Sequence, residues 1–420
     1  MCPISRIFWL SVATAQDYFR PYHAQPHHRL YLMDHVAKKI SELTPSLTLA
    51  ITAQAAQMKK MGIDICSFGA GEPDFDTPQH IKDAAIEALQ KGATKYTASA
   101  GLPELREAIS EKLLLENNLT YSAKQISVNC GAKHSCYNAI LATCSEGDEV
   151  IIPAPYWTSY PEMVRLAGAT PVFVDTNKKN GWKLTPHEFE EALTPRTKMI
   201  IINSPGNPTG AVYSAEELKA LAEVATSEGV LILSDEIYEK LVYGESKHVS
   251  VGSLSKEIYE HTITINGFSK AFAMTGWRLG YTAAPAAIAE AIDTIQGHTT
   301  SNPTTFAMYG AVAALKGDQK VIEDMREEYD VRRQFMLAKL KSIKNINVIE
   351  PHGAFYFLVD ISPMGIKSIN FAEKLLSRAQ VAVVPGVAFG SEYTVRFSYA
   401  TSFEVIGEGL ERFAKFCMQH

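Results

Sequence analysis

One lysine is distinguished by its surroundings. Lys270 follows the apolar run 262–265 and lies in a loop of small residues. A lysine just beyond a buried strand can be desolvated at the carboxyl edge of a sheet, where its amine is nucleophilic and can form a Schiff base. Arg278 comes eight residues later, and its planar guanidinium could clamp a phosphate. The lysine of an isolated Ser-Lys pair would more often lie on the surface. The prediction of a Schiff-base lysine therefore depends on the whole pattern of apolar run, lysine and arginine.

A second candidate site lies where the apolar run 126–130 passes into a helical pattern at Gly131-Ala132-Lys133. Free backbone N–H groups at such a corner, aided by the helix dipole, form a phosphate site. Cys130, His134 and Cys136 lie close by and suggest a metal site as the alternative. Three soft donors without a fourth do not complete a tetrahedral site, so we predict no metal.

The composition is that of an ordinary globular chain and argues for small-molecule partners. The 420 residues are 46% hydrophobic and 20% charged, and 40 Lys+Arg against 46 Asp+Glu leave a net charge of −6. Because there is no block of like charge, we expect neither nucleic acid nor an acidic membrane surface as main partner. Six cysteines without a CxxC pair suit a reducing compartment, so we predict free thiols and a cytoplasmic protein.

Short apolar runs alternate with helical spacing through the middle of the chain. The runs lie at 126–130, 149–152, 171–174, 199–202, 230–233 and 262–265. They are too continuous for strands with one solvated face, and strands buried on both faces and joined by helices form a mainly parallel sheet. The sequence therefore predicts an α/β fold whose sheet is flanked by helices on both sides.

The pattern changes towards the C terminus. A helical pattern covers 303–343, and strands at 353–361 and 394–400 then accompany helices near 371–379 and 403–417. This predicts a small α+β domain that also includes part of the N-terminal segment. The predicted divisions are an N-terminal arm and part of the small domain at 33–78, a large domain at 79–312, and the rest of the small domain at 313–420.

Residues 1–32 differ from the rest of the chain. The apolar run 7–15 ends in small residues like a weak secretory signal, and a stretch rich in His, Pro and Tyr follows it. The run is too short to span a bilayer. An upstream start codon, a targeting peptide and an ordered arm are the alternatives, and in each case we expect an extension outside the core.

An ordered set of motifs resembles the class I aminotransferases of fold type I, which use pyridoxal 5'-phosphate. Residues 266–280, NGFSKAFAMTGWRLG, resemble the cofactor-lysine signature of that family. The other landmarks are AGEPDF at 70–75, Tyr96 before Gly101, GAK at 131–133, PYW at 155–157, NSPGNPTG at 203–210, SDEIY at 234–238 and VRFSY at 395–399. They occur in the expected order across 33–420, and the resemblance is closest to the prokaryotic-type aspartate aminotransferases, including those that also use prephenate.

The resemblance implies roles around the cofactor ring. Lys270 would hold the cofactor and carry the substrate proton, and Asp235 would keep the pyridine nitrogen protonated. Asn207 and Tyr238 would donate to the phenolic oxygen of the ring, and Trp157 would stack on its face. Taken alone, Asp235 could equally be a helix cap and Asn207 a turn residue. Tyr238 could be an interface tyrosine, and Trp157 a half-buried core aromatic.

The resemblance also implies a phosphate site. Ser269 and Arg278 match phosphate ligands of the family, together with the backbone of Gly131-Ala132-Lys133. Gly267 stands where relatives often have a serine. Tyr96 resembles the tyrosine that reaches the phosphate of the other subunit, which implies a homodimer.

Substrate binding is implied at a further set of residues. Arg396 resembles the arginine that binds the α-carboxylate, and Gly71 the loop glycine that closes over it. Trp157 and Asn207 would contact the substrate as well as the cofactor. The distal carboxylate of an acidic substrate would be bound by Lys133, with Thr48 nearby.

These implications together predict a homodimeric pyridoxal-phosphate enzyme that transaminates L-aspartate with 2-oxoglutarate and extends to prephenate. Another class I aminotransferase, or a C–S lyase or decarboxylase of the same fold, is the alternative within the family. A regulatory module that binds the cofactor without catalysis is the alternative outside it. Such modules usually carry a basic DNA-binding domain, and residues 1–32 are too short and too weakly basic for one.

Overall fold

The computed structural model describes residues 36–41 and 43–419. The predicted extension 1–32 lies outside these residues. From Thr44 onward the described residues form one compact unit, whereas those up to Leu43 belong to a separate unit that holds the short helix α1. In the described part of the chain, no helix is both long and apolar enough to cross a lipid bilayer.

Helices and strands alternate through the middle of the chain, as the sequence predicts. The helices are α1 (Lys38–Ser41), α2 (Leu47–Lys60), α3 (Gln79–Gln90), α4 (Pro103–Asn117), α5 (Ala132–Thr143), α6 (Tyr160–Leu166), α7 (Pro186–Ala192), α8 (Ala215–Ser227), α9 (Lys256–His261), α10 (Ala286–Thr299), α11 (Thr305–Lys316), α12 (Lys320–Lys341), α13 (Ser368–Ala379) and α14 (Phe403–Met418). The strands are β1 (Cys66–Ser67), β2 (Ile126–Asn129), β3 (Glu149–Ala154), β4 (Thr170–Asp175), β5 (Thr197–Asn203), β6 (Leu231–Asp235), β7 (Thr262–Gly267), β8 (Gly280–Ala283), β9 (Asn347–Val348), β10 (Tyr356–Asp360), β11 (Val381–Ala382), β12 (Val384–Pro385) and β13 (Thr394–Ser398).

The central sheet has seven strands in the order β2-β8-β7-β6-β5-β3-β4. Strands β4, β3, β5, β6 and β7 run parallel to one another, and the six apolar runs of the sequence all become strands. Strand β8 is antiparallel to both β7 and β2, and the sequence analysis did not predict it. The predicted α/β fold with a mainly parallel sheet is therefore confirmed.

Both faces of this sheet are covered, which explains the continuous apolar runs. On β3, Val150 and Ile152 pack with the helices α5, α6 and α10. Ile151, between them, points to the opposite face and packs with α7 and α8, for example against Leu218. Each burial of such a side chain stabilises the fold by about 1.5–3 kcal/mol.

A second layer is built from both ends of the chain. Strands β12, β13, β10 and β9 form an antiparallel sheet, and Phe397 of β13 packs with Phe371 of α13 and Phe413 of α14. Strand β1 pairs in parallel with β11, with Cys66 opposite Val381. The N-terminal and C-terminal segments thus share this layer, as the α+β prediction requires, while the domain boundaries at 78 and 312 stay predictions.

The helical pattern at 303–343 is divided between two helices, α11 and α12. Gly317 ends α11 in an extended conformation, and a Cβ there would lie only 2.7 Å from the carbonyl oxygen of Ala313. Asp318 then accepts the backbone N–H of Lys320 at 2.9 Å and starts the second helix. A glycine followed by an aspartate whose side chain accepts the first N–H of the next helix interrupts the apolar periodicity.

Candidate active site

The carboxyl ends of the parallel strands meet at one edge of the sheet and carry the candidate site. Asn203 and Asp235 are the last residues of β5 and β6, and Lys270 follows β7. They line a cavity of about 360 Å³. The predicted site residues that line it are Thr48, Gly71, Ala132, Lys133, Trp157, Asn207, Asp235, Tyr238, Ser269, Lys270, Arg278 and Arg396. The topology therefore brings together residues that are far apart in the sequence.

Lys270 lies at the centre of the cavity wall. Its Nζ donates to the carbonyl oxygen of Gly71 at 2.5 Å and lies 5.7 Å from the ring centroid of Tyr238. Burial lowers the pKa of Lys270 to about 8, and the cations of Arg396 and Arg278 act in the same direction. The neutral, nucleophilic amine is therefore accessible near neutral pH.

Asp235 is a buried carboxylate that faces this cavity and has no cationic partner among its hydrogen-bond donors. Its Oδ2 accepts from the hydroxyl of Tyr160 at 2.6 Å and from the thiol of Cys136 at 3.8 Å, and its Oδ1 accepts from the N–H of Ile237 at 3.2 Å. Burial raises the pKa of Asp235 to about 6 despite these bonds. An anion solvated only by neutral donors fits the protonated nitrogen of a pyridine ring. A turn follows Asp235, so the helix-cap alternative is wrong.

The phosphate end of the cavity is formed by the start of α5 and by Arg278. The guanidinium donates to the carbonyl oxygens of Thr275 at 2.9 Å and Cys130 at 3.2 Å. Gly131 has a φ of +92°, and a Cβ on it would lie 2.4 Å from Nη2 of Arg278. Only glycine allows this close approach, which puts a cation beside the first-turn N–H groups of α5, beginning at Ala132. Such a cradle fits a phosphate.

The metal alternative at this corner does not assemble. The thiol of Cys136 is directed to Asp235, and Nδ1 of His134 accepts from the backbone N–H of Cys130 at 3.3 Å. Within the described residues, these side chains do not form a group close enough to share an ion. The phosphate interpretation therefore accounts for this corner better.

Trp157 and Lys133 form one side wall. The Trp157 ring is half-buried and packs edge-on against Tyr160, with centroids 5.1 Å apart and an interplanar angle of 84°. Nζ of Lys133 lies 5.0 Å from the Trp157 centroid. Desolvation at the cavity wall lowers the pKa of Lys133, and the cation of Arg278 lowers it further. An anion bound here would raise the pKa of Lys133 again and stabilise the charged form.

Arg396 of β13 is buried at the other side, with 3% of its surface exposed. Its Nη1 donates to Oδ1 of Asn207 at 2.9 Å and its Nη2 to the carbonyl oxygen of Gly69 at 3.0 Å. The guanidinium lies over the ring of Tyr356, 4.3 Å from the centroid, and burial lowers its pKa. Its acceptors are all neutral and Nε has no partner within the described residues, so this cation is suited to bind a carboxylate.

Two further predicted residues lie at the margin. Thr48 of α2 hydrogen-bonds Ser46 at 2.7 Å beside the cavity. Tyr96 is 86% exposed and does not line the cavity of this chain.

The sequence analysis missed the supporting roles of Tyr160, Cys136 and Tyr356, of which the two tyrosines also line the cavity. Tyr160 and Cys136 hold Asp235, and Tyr356 bonds the hydroxyl of Tyr238 at 2.9 Å. The spacing of Tyr160 three residues after Trp157, at the start of a helix, was an available signal. For Tyr356 the sequence offers no such signal, because this residue of β10 is 118 positions from Tyr238 and meets it only in the folded protein.

The comparisons with known proteins agree with this geometry. The family model "Aminotransferase class I and II" matches residues 63–413. The chain is 49% identical to an aspartate aminotransferase of Geobacillus stearothermophilus over 386 residues, which cover 91% of this chain and 98% of the relative. It is 46% identical to an aspartate/prephenate aminotransferase of Cereibacter sphaeroides, with 92% and 99% covered.

Solved structures give the same result. The aspartate aminotransferase of Thermus thermophilus with maleate superposes with a TM-score of 0.88 at 44% identity, covering 90% of this chain and 99% of that chain. The aspartate aminotransferase from Rhizobium meliloti gives 0.88 at 41%, with 91% and 98% covered. Since the family model spans most of the chain and the cavity holds the lysine, carboxylate and arginine that the motifs predicted, the chain belongs to the class I and II aminotransferases.

Proposed function

We propose that this aminotransferase binds pyridoxal 5'-phosphate and transfers the amino group of L-aspartate to 2-oxoglutarate, giving oxaloacetate and L-glutamate. The observation that carries the proposal is one cavity lined by a lysine of lowered pKa, Lys270, by a buried anion, Asp235, and by a buried cation, Arg396. The names of the relatives support aspartate as the amino donor.

The residues present fit the cofactor. Asp235 would hold the ring nitrogen, Trp157 would cover a ring face, and Tyr238 and Asn207 would donate towards the phenolic oxygen. Arg278, Ser269 and the start of α5 at Gly131-Ala132-Lys133 would hold the phosphate. When bound, the cofactor supplies an electron sink for the bond that is broken at the substrate Cα. The chain itself must then move one proton.

Lys270 is the group placed to move that proton. Its Nζ is neutral in a substantial fraction of molecules near pH 8, so it can take the proton from Cα of the substrate and return it on the other side of the reaction. Gly71 accepts a hydrogen bond from Nζ and so keeps the amine directed into the cavity.

The two carboxylates of aspartate match two cations. Arg396 is held by Asn207 and Gly69 with its guanidinium 4.3 Å from the ring centroid of Tyr356, and its planar fork of donors suits bidentate binding of the α-carboxylate. Lys133 and Thr48 lie on the cavity wall and would bind the distal carboxylate. Prephenate also carries two carboxylates, and the aspartate/prephenate names among the relatives support it as a second substrate.

We further propose a homodimer in the cytoplasm. Tyr96 is 86% exposed. Ile86 and Leu89 on α3 and Tyr309 on α11 are also exposed apolar side chains, and these two helices pack against each other. A second copy could cover them, and Tyr96 would then reach its phosphate site.

A panel of amino donors with 2-oxoglutarate tests the function. We expect the highest kcat/KM with aspartate, and lower values with alanine and phenylalanine. Cofactor binding without transamination of any donor would favour the regulatory alternative, and release of pyruvate or ammonia from the donor would favour a lyase.

A further inference from the structure

A buried polar network lies directly behind the turn that carries Asp235 and Tyr238. Its centre is Glu236, which is 1% exposed. The Glu236 carboxylate accepts hydrogen bonds from Ser234 Oγ at 2.9 Å, Val251 N at 3.3 Å, Ser250 Oγ at 2.6 Å and His248 Nε2 at 3.0 Å. A carboxylate with this many donors is firmly fixed in a low-dielectric interior.

The network continues to helix α4. Nδ2 of Asn117 donates to Ser250 Oγ at 2.8 Å and to Glu239 Oε2 at 2.8 Å. Nζ of Lys112 donates to Oδ1 of Asn117 at 2.7 Å and forms a close ion pair with Glu239. Lys112 and His248 hold the pKa of Glu239 at about 2 even though burial opposes this. The turn is therefore attached to a helix of the large sheet layer through buried charges.

The side chains of the turn alternate between two environments. Asp235 and Tyr238 line the cofactor cavity, whereas Glu236 and Glu239 belong to the network behind it. The backbone N–H of Glu236 donates to Ile265 of β7 at 2.9 Å, and that of Glu239 to Glu236 at 2.9 Å. Any displacement of the Glu236 carboxylate would therefore rotate the turn and move the groups in front.

The network also lies behind the lysine loop. A narrow cavity is lined by Lys112 and Glu239 on one side and by Gly267, Phe268 and Ala271 on the other. These last residues flank Lys270 in the chain. The same buried charges thus lie against both the turn that carries Asp235 and Tyr238 and the loop that carries Lys270.

A bound metal ion would be a different explanation of the cluster. Glu236, Glu239 and His248 offer ligand atoms within 4.8 Å of one another. However, hydroxyl, amide and ring donors already satisfy Glu236, and the ammonium of Lys112 already neutralises Glu239. Apart from Nδ1 of His248, which has no hydrogen-bond partner within the described residues, the cluster is accounted for by hydrogen bonds and ion pairs between protein groups.

We infer that Glu236 is a positioning residue of the cofactor site, which sets the orientation of the Asp235 carboxylate and the Tyr238 hydroxyl from behind the turn. This inference rests on the proposed cofactor. Asp235 needs such an anchor because a carboxylate without a cationic partner gains free energy by turning towards water. Its bond to Tyr160 fixes one oxygen, and Glu236 fixes the backbone.

Glu236→Gln in the full-length protein tests the inference. Glutamine keeps the shape but replaces one accepting oxygen by an NH₂, so the two hydrogen bonds that this oxygen accepts are lost or must reverse direction. We expect the dissociation constant for pyridoxal 5'-phosphate to rise about tenfold, and the visible circular dichroism of the bound cofactor, which reports its orientation, to change in intensity. Both readouts are independent of turnover.

Glu149→Gln is the matched control. Glu149 is also buried, at 6% exposure, and is bonded to Thr194 at 2.6 Å and to Arg196, but it is the first residue of β3 and lies at the opposite edge of the sheet. The Glu149→Gln substitution should lower the melting temperature and leave the dissociation constant and the circular dichroism of the bound cofactor unchanged.

Each outcome decides between the roles. A Glu236→Gln protein with a lowered melting temperature but wild-type affinity and dichroism would make Glu236 purely structural and overturn the inference. If this variant does not fold, Ser250→Ala, which removes one donor to Glu236, should raise the dissociation constant about threefold, and unchanged affinity overturns the inference equally. If the wild-type protein contains a stoichiometric divalent metal ion and the Glu236→Gln protein does not, the cluster is a metal site and the positioning inference is wrong. A wild-type protein that does not bind the cofactor would refute the proposed function itself.

Discussion

Replacing Asp235 by asparagine should have opposite effects on the cofactor-free and the cofactor-loaded protein. In the free protein, burial raises the pKa of Asp235 from 3.8 to about 6. Each pKa unit corresponds to about 1.4 kcal/mol, so above pH 7 the buried anion costs the folded state about 3 kcal/mol. Asparagine removes this cost but loses part of the bonding from Tyr160 and Ile237, about 1–2 kcal/mol. The net expectation is a gain of about 1 kcal/mol at pH 8.

The pH dependence gives the sharper measurement. Because the folded pKa is raised, the Asp235 carboxyl contributes stability that is fully present below pH 3.8 and is lost as the pH rises through about 6. The wild type should therefore gain about 1.4 kcal/mol relative to Asp235→Asn between pH 8 and pH 5. With the cofactor added at pH 8, the order should reverse, because the wild-type carboxylate then gains a cationic partner.

Denaturant unfolding of both proteins, each with and without the cofactor, measures these differences. Cys136→Ala is a suitable control, since it removes a weak donor to Asp235 and keeps the charge. A difference between wild type and Asp235→Asn that stays constant from pH 8 to pH 5 would refute the reasoning. So would a cofactor that stabilises both proteins equally.

The other predictions concern the reaction. Lys270→Ala should abolish transamination, because no other side chain among the described residues is placed to carry the Cα proton, and borohydride should fix the cofactor covalently only to the protein that has Lys270. A label found on another peptide would contradict the assignment. Arg396→Lys should lower kcat/KM for every donor at least tenfold, since an ammonium cannot bind a carboxylate bidentately, and a steady-state assay with an activity near wild type would exclude Arg396 as the ligand. Lys133→Ala should lower kcat/KM for aspartate about tenfold and spare alanine; equal losses with both donors, together with weaker cofactor binding, would assign Lys133 to the phosphate.

The fold was predictable where burial leaves a simple pattern. Strands buried on both faces appear as continuous apolar runs, and six of these became strands of the sheet. Strand β8 was missed because Gly280–Ala283 is only four residues long and contains no apolar run. The order of the strands depends on pairings between distant segments, such as β2 with β8, which local periodicity does not report.

The site was predictable where chemistry fixes residue types at fixed positions. Lys270, Asp235 and Arg278 lie at the end of a strand or in a loop, Arg396 lies within β13, and all four belong to recognisable motifs that the structure brings into one cavity. The groups that hold them were not predictable, since Tyr356 acts through a contact with Tyr238 across the two layers of the fold. A buried tyrosine has the same sequence pattern whether it supports a site or fills a core.

The cavity differs in charge from the rest of the protein. Its wall carries four basic side chains, Lys133, Lys270, Arg278 and Arg396, against two acidic ones, Glu72 and Asp235, while the whole chain carries a net charge of −6. A dianionic substrate is therefore repelled at a distance and attracted only near the opening, where low-dielectric walls focus the field. Added salt screens these interactions over about 8–10 Å. The association rate of dicarboxylates should consequently depend on ionic strength through the local field at the mouth of the site, more than through the overall charge of the molecule.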